Sequence, residues 1–510
     1  MINLRTTVPA LLVVGALALS PVAVAAPAPT YAPLQLFTPQ KSARVIVHAY
    51  TWTDDQGVEH HEEYTELSTS LYVKSPTTRF EIDVRRADVQ HDLTAVATIG
   101  GHQYKIPSSL LDGWNGLKNA FEITWTDPEG TVLSKTGANW CPNDGGGSRL
   151  TPGAAGETVF AYGCGSNPFT RGQRWGIDRG WARQVLTQSL PTPESLPAKA
   201  VLQVAVRPAL AKALHLRTSD ARVTLPVTVT HVDDDNGGDG PTPGPVDQVA
   251  ARSQHRPPAT RGTAQPAKRY PADVLPDLIA LPAWGMSTHT EDGRDLLDFA
   301  ATVYNGGQGP LVAEGFRRGT TLKMNAYQFF YRGKKQVGSA AVGGMEFDER
   351  PSHQHWHFED FATYDLVNKA HVRLRTSGKE AFCLAPTDAI DLLQKGAVVN
   401  PGNGDLSTAC GDESSIWVRE VLAQGWGDTY TQQRAGQSID ITGLANGTFW
   451  VRVTANPGNR LQEASRKNNT ALRKVILGGT PGARTVKIPR YGVIDSEAGL
   501  QVPGEGQAAG

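Results

Sequence analysis

The sequence predicts a mostly-β protein: two β-rich domains joined by a Pro/Gly-rich linker, the second a β-sandwich. Three observations carry this prediction. Short runs of alternating apolar and polar residues, rich in Val, Ile, Thr and aromatics, recur through both halves. Only two brief stretches read as helix. Glycine and proline are plentiful (53 and 34 residues) and punctuate the runs where turns are needed. A chain of 510 residues has room for about two to four domains of ordinary size.

The first 25 residues read as a signal peptide. Arg5 gives a charged start, residues 8–19 an apolar core, and Ala23-Val24-Ala25 a small-residue cleavage site before Ala26. The core is short of the roughly 20 residues that a spanning helix needs, and Pro21 interrupts it. No later segment is long and apolar enough to span, so the expectation is a secreted, extracellular protein with no membrane span. Charged residues make up 19% of the chain and the net charge is −1, which argues against a nucleic-acid partner or a polybasic membrane-surface protein.

Residues 26–232 read as a β-rich N-terminal domain whose role the sequence does not reveal. Alternating patterns occupy 43–50, 80–84, 200–206 and 223–230, and a brief helix is expected at 108–112 with Gly113 as its stop. Residues 233–270 read as a flexible linker: an acidic run without the ligand spacing of a calcium loop, then Pro241, Pro243, Pro245, Pro257, Pro258 and Pro266. The second domain spans 271–477. A strand at 296–305 ends in Gly306-Gly307, and further strands are expected at 326–331, at the histidine run 353–357, at 361–366 and at 381–384. Residues 438–442 and 448–453 flank Asn446-Gly447, a hairpin-turn signal, and 387–395 reads as a short helix closed by Gly396. From Gly478 the composition loosens into a C-terminal tail, 478–510.

Four cysteines in an exported chain suggest two disulfides. Pairing within halves, Cys141 with Cys164 and Cys383 with Cys410, is the simplest of three connectivities. Each loop is worth about 3 kcal/mol by loop-closure entropy.

The stretch with the clearest chemistry is Pro351-Ser352-His353-Gln354-His355-Trp356-His357-Phe358-Glu359-Asp360-Phe361. Side chains alternate along a strand, so histidines at i, i+2 and i+4 share one face while Gln354 and Trp356 face the other way. On a helix the middle histidine would point away. Neutral imidazole suits copper, zinc, iron or nickel, and three on a rigid strand leave a coordination position open for chemistry.

This run, with Glu359-Asp360-Phe361 and Tyr364-Asp365-Leu366 after it, resembles the copper-binding signature of the lysyl oxidase family. Further stretches match in the same order: Tyr304-Asn305-Gly306-Gly307, then 378–384 around Lys379 and Cys383, then Asp428-Thr429-Tyr430 with 439–442, and Asn456-Pro457 through Asn468-Asn469. The resemblance covers about 271–477 and implies a β-sandwich of lysyl oxidase type. It implies a copper amine oxidase in which His353, His355 and His357 bind copper and Lys379 and Tyr430 are the precursors of lysyl tyrosylquinone. Its expected partners are a primary amine or lysine-containing peptide or protein, and dioxygen. The products would be an aldehyde, ammonia and hydrogen peroxide.

Such chemistry needs a carboxylate base with a tuned pKa. Glu359, Asp360 and Asp428 stay open: an uninterrupted strand puts Glu359 on the histidine face, and a bulge would put Asp360 there. The sequence also departs from animal members, which carry a Trp/Cys-bearing segment where Met345–Arg350 stands here, and more cysteines; a bacterial relative is the better expectation. Two readings from other classes remain: a non-catalytic metal-binding surface or adhesion protein, and a zinc hydrolase.

Overall fold

The computed structural model describes residues 34–53, 57–99, 101–186, 191–193, 195–233, 270–350, 354–378, 381–403, 406–434 and 436–498. The signal peptide, nearly all of the linker, His353, Lys379 and the last residues lie outside the described residues. The protein is mostly β. Its described helices are the single α-helical segment Pro208–Ala213 and short 3-10 turns. None is long and apolar enough to cross a membrane.

Residues 35–233 build three sheets, of four, four and six strands. Their strands keep the alternation legible in the sequence. Leu71–Ser75, Phe80–Arg85 and Lys199–Val206 each bury every second residue. The buried set, including Phe80, Ile82, Val84, Trp125, Trp175, Leu202 and Val204, forms one core. The disulfide Cys141–Cys164 packs in that core. The helix expected at 108–112 is reduced to two 3-10 turns, Ser108–Leu110 and Gly113–Asn115. Leu111 between them returns to extended backbone and bridges Leu117, so pairing overrides the local turn.

Residues 278–487 build three more sheets, of six, six and five strands. Arg294–Asn305 is the pivot of the first. Its N-terminal half pairs with Trp284–Glu291 and Ser438–Asp440, its C-terminal half with Leu278–Ala280 and Trp426–Tyr430. The second sheet runs in the order Ala381–Phe382, His355–Glu359, Lys335–Asp348, Lys323–Arg332, Leu311–Arg317, Trp417–Leu422. Its two edges are drawn together. Ala409 bridges Arg419 while the Trp356 N–H donates to the Cys410 carbonyl at 3.0 Å. The third sheet is Arg373–Thr376, Ala362–Val367, Gly447–Ala455, Thr470–Thr480 and Ala483–Lys487.

Three local expectations fail here, each for a long-range reason. Residues 387–395 are not helical. Asp388–Ala389 pairs with Gly427 and Trp426, and the N–H groups of Arg171 and Gly172 both reach the Ile390 carbonyl, at 2.7 and 3.1 Å. Backbone partners on both sides outweigh a marginal nine-residue helix. The hairpin at Asn446-Gly447 does not form either. Ser438–Asp440 pairs with Leu296–Asp298, whereas Gly447–Ala455 joins another sheet, and the Asn446 amide instead donates to the Gly479 carbonyl at 2.9 Å. Finally, the chain beyond Gly478 is ordered to residue 498. Thr470–Thr480 runs through it, Ala483–Lys487 adds a strand, and Ile494 is buried against Tyr304 and Ile390.

The first sheets pack against the pivot strand. The Asn167 amide donates to Thr302 Oγ1 at 2.8 Å, Thr302 meets Thr429 Oγ1 at 2.8 Å, and Arg171 donates to the Tyr304 hydroxyl at 3.0 Å. Around these polar contacts lies an apolar cluster of Phe169, Leu281, Trp284, Tyr304, Ile390 and Ile494.

Candidate metal centre

The histidine strand His355–Glu359 lies antiparallel to Lys335–Asp348, with His355 opposite Asp348 and His357 opposite Glu346. Trp356 and Phe358 turn into the core and are fully buried. Trp356 is held there by its indole N–H, which donates to the Asp412 carbonyl at 2.7 Å, and by the Arg317 guanidinium over its ring. His355 and His357 therefore share the opposite face, as the spacing predicts. Their Nε2 atoms stand 2.9 Å apart.

That distance tests the fit to a metal. Two imidazole nitrogens each about 2.05 Å from one ion, and about 90° apart at it, would lie about 2.9 Å from each other. Facing nitrogen to nitrogen, the pair either shares one N–H···N hydrogen bond or, with both Nε2 atoms deprotonated, offers two lone pairs to one ion. The donor pair fits an ion that accepts nitrogen ligands side by side, as tetragonal copper(II) does. No cluster of three metal-binding side chains occurs among the described residues; His353, the third donor of the pattern, lies outside them.

Behind the pair stands a carboxylate that spacing along the chain did not reveal. Asp348 Oδ2 lies 3.5 Å from His357 Nδ1. Arg350 bonds the same carboxylate through Nε at 2.9 Å and holds it well below the usual carboxylate range. Carboxylates placed behind a histidine fix its tautomer and aim. Only the register across the two strands puts Asp348 there; the usable signal was a carboxylate two residues before the arginine that closes Met345–Arg350.

The candidate bases separate clearly. Glu359 stays on the strand and is taken by Lys323, whose Nζ lies 3.1 Å from it and 2.6 Å from Glu346. Asp360 leaves the strand in a left-handed turn (φ 59°) and pairs with Arg460 at 2.9 Å. Asp428 alone is buried. It sits two residues before Tyr430 on Trp426–Tyr430, and so on the same face of that strand.

Tyr430 is locked by one residue. The Cys383 N–H donates to its hydroxyl at 3.0 Å, and that hydroxyl donates to the Cys383 carbonyl at 3.3 Å. Its ring meets Phe382 edge-on, centroids 5.0 Å apart. Burial first, and the Asp428 carboxylate next, push the phenol pKa well above its ordinary value. Tyr364, fully buried nearby, is raised by the same two causes in the same order. Cys383 is itself tied by its disulfide to Cys410, whose carbonyl receives the Trp356 N–H. Lys379 precedes Ala381–Phe382, the neighbour of the histidine strand, by two residues in sequence.

The comparisons agree with the geometry. Residues 340–484 match the lysyl oxidase family model, a span that starts later than the 271 expected from the motifs and ends inside Ala483–Lys487. Lysyl oxidase homolog 2 of Xenopus tropicalis is 27% identical over 119 residues, which is 23% of this chain and 13% of that protein. Lysyl oxidase homolog 4 of Mus musculus is 28% identical over 118 residues, 23% of this chain and 14% of that protein. The chain thus matches only about one-seventh of the length of these relatives. Residues 340–484, the span that matches the lysyl oxidase family model, hold the histidine strand and Tyr430.

Proposed function

We propose that this protein is a secreted copper-dependent amine oxidase that converts primary amines, either peptidyl lysine or small amines, to aldehydes. The overall reaction consumes the amine, dioxygen and water and releases aldehyde, ammonia and hydrogen peroxide. The observation that carries the reading is the pair of facing imidazole nitrogens at His355 and His357, in the same family-matched span as a half-buried, doubly hydrogen-bonded phenol at Tyr430. His353, His355 and His357 would hold copper, and Lys379 joined to Tyr430 would form lysyl tyrosylquinone. Once bound, these groups supply the electron transfer between amine and dioxygen.

The chain's own residues do the rest. Asp348 orients His357. Cys383 fixes the Tyr430 ring through both of its backbone polar groups. Phe382 packs edge-on against the Tyr430 ring and is itself backed by Tyr364 and Phe361. Asp428 is the base: buried on the Tyr430 strand, it takes the proton from the substrate carbon that bears the nitrogen. Glu359 and Asp360, each engaged by a cation, hold charge at the rim.

The test is peroxide release by full-length, copper-loaded protein given a primary amine, with a peptide-mass search for a Lys379–Tyr430 crosslink. Lys379→Ala and Tyr430→Phe should each abolish both signals. Asp428→Asn should keep the crosslink yet lower turnover by about 10²–10⁴-fold. Unchanged peroxide release in the first two variants would refute the assignment.

A further inference from the structure

Glu420 is a fully buried carboxyl with no role in the chemistry above. It projects from Trp417–Leu422, opposite Ala313, and is wholly shielded from solvent. Its Oε2 accepts the Leu384 N–H at 3.0 Å, and the Phe358 N–H faces the same carboxyl closely enough to favour its ionised form. Its Oε1 has no hydrogen-bond partner, and no cation pairs with it among the described residues.

The two amides it gathers are telling. Phe358 directly follows His357. Leu384 directly follows Cys383, the residue that holds the Tyr430 hydroxyl. Just upstream the Trp356 N–H is taken by the Cys410 carbonyl, on the side where this strand meets the segment that carries Cys410. The Leu384 carbonyl is claimed from the same side, by Thr408 Oγ1 at 2.8 Å and the Val421 N–H at 3.3 Å. One side chain thus spans the seam between the histidine strand and the segment carrying the phenol.

We propose that Glu420 is a positioning residue: its carboxyl pins Cys383–Leu384, and with it the Tyr430 ring, to the strand that carries His355 and His357. The inference rests on the amine-oxidase reading only for its consequence, since the seam itself is independent of copper or quinone. Burial, ahead of the nearby Asp428 charge, raises its pKa well above the ordinary value and so favours the neutral form. What the seam uses is therefore an acceptor oxygen at a fixed point, not a charge. Glutamine, with the same shape and a carbonyl oxygen, should serve; an apolar residue should not, because it leaves two buried N–H groups unsatisfied.

The experiment compares full-length Glu420→Gln and Glu420→Leu with the native chain. Hydrogen exchange at the Phe358 and Leu384 amides should match native in the Gln variant and quicken at least about tenfold in the Leu variant. Titration with copper alone should show native affinity for Gln and about 10–100-fold weaker binding for Leu. Should Leu prevent folding, Thr408→Val loosens the same anchor and should shift both readouts in the same direction by less. Native exchange at both amides in the Leu variant, or in Thr408→Val where Leu does not fold, would overturn the proposal. So would a Gln variant as impaired as Leu, which would mean that charge or a transferable proton is needed. If exchange splits as expected while no chain forms a crosslink, the oxidase reading falls and the positioning role stands.

Discussion

The strands of the two halves bury themselves differently. In the first half Phe80–Arg85 and Lys199–Val206 show one wet and one dry face. In the second, Arg294–Asn305 is buried along all but its first residue. The difference follows from layering: that strand is covered on one side by its own half and on the other by Asn167, Phe169 and Arg171. A strand buried on both faces must carry its polar groups inside, and each then needs a partner. Thr302, Asn305, Glu314, Glu420 and Asp428 are the result. The half richer in buried polar groups is the half with the candidate chemistry.

The sharpest way to break this comparison uses two ion pairs of similar length. Arg419–Glu314 (2.7 Å) is buried, with side chains 1% and 0% exposed, whereas Arg174–Asp83 (2.6 Å) is 44% and 42% exposed. Glu314→Ala should cost about 3–5 kcal/mol, because it strands a buried guanidinium. Asp83→Ala should cost no more than about 1 kcal/mol. Urea midpoints decide, and equal losses would refute the contrast.

Next in size are the disulfides. Cys141–Cys164 and Cys383–Cys410 close loops of similar length, 23 and 27 residues apart, so opening either should cost about 3 kcal/mol in the entropic account. Only Cys383→Ala with Cys410→Ala should also weaken copper binding, because Cys410 anchors Trp356 and Cys383 holds Tyr430. Matching copper titrations for both double variants would remove that distinction.

A finer probe is threonine to valine. Thr302→Val loses hydrogen bonds to Asn167 and Thr429 and should cost about 1 kcal/mol or somewhat more. Thr228→Val, on the wet face of Arg222–Asp233, should stay within about 0.5 kcal/mol of native in thermal melts.

The mildest effect near neutrality is one of pH. Tyr364 and Tyr430 have phenol pKa values raised in the fold, so the folded state keeps protons that the unfolded chain loses. Their contribution is complete below about pH 10 and declines as pH rises through that value. Absorbance titration should show phenols that ionise only as the chain unfolds, one fewer in Tyr430→Phe. Ionisation of every tyrosine within the folded state would contradict the burial.

Part of this was legible without coordinates. The i, i+2 spacing of His355 and His357 predicts a shared face because alternation is a property of the local backbone. Residues 387–395 show the opposite case. Their propensities favour a short helix, yet the chain forms an edge strand, since Gly427 and Gly172 offer backbone partners from distant parts of the sequence. Asp348 and Glu420 escaped for a related reason. Arg350 two residues on is the one local mark of Asp348, and Glu420 has none; the first is placed by register across two strands, the second by the closing of a sheet.

The sequence by itself determined the β class, the alternation of the first half, the within-half cysteine pairs and the facing of two imidazoles. Each depends on residues close in the chain or on simple pairing rules. The tertiary structure decided which carboxylate stands buried beside Tyr430, which one backs His357, and that the first half covers the pivot strand. Those outcomes depend on layer packing and strand register, where one residue's place is set by partners a hundred or more positions away.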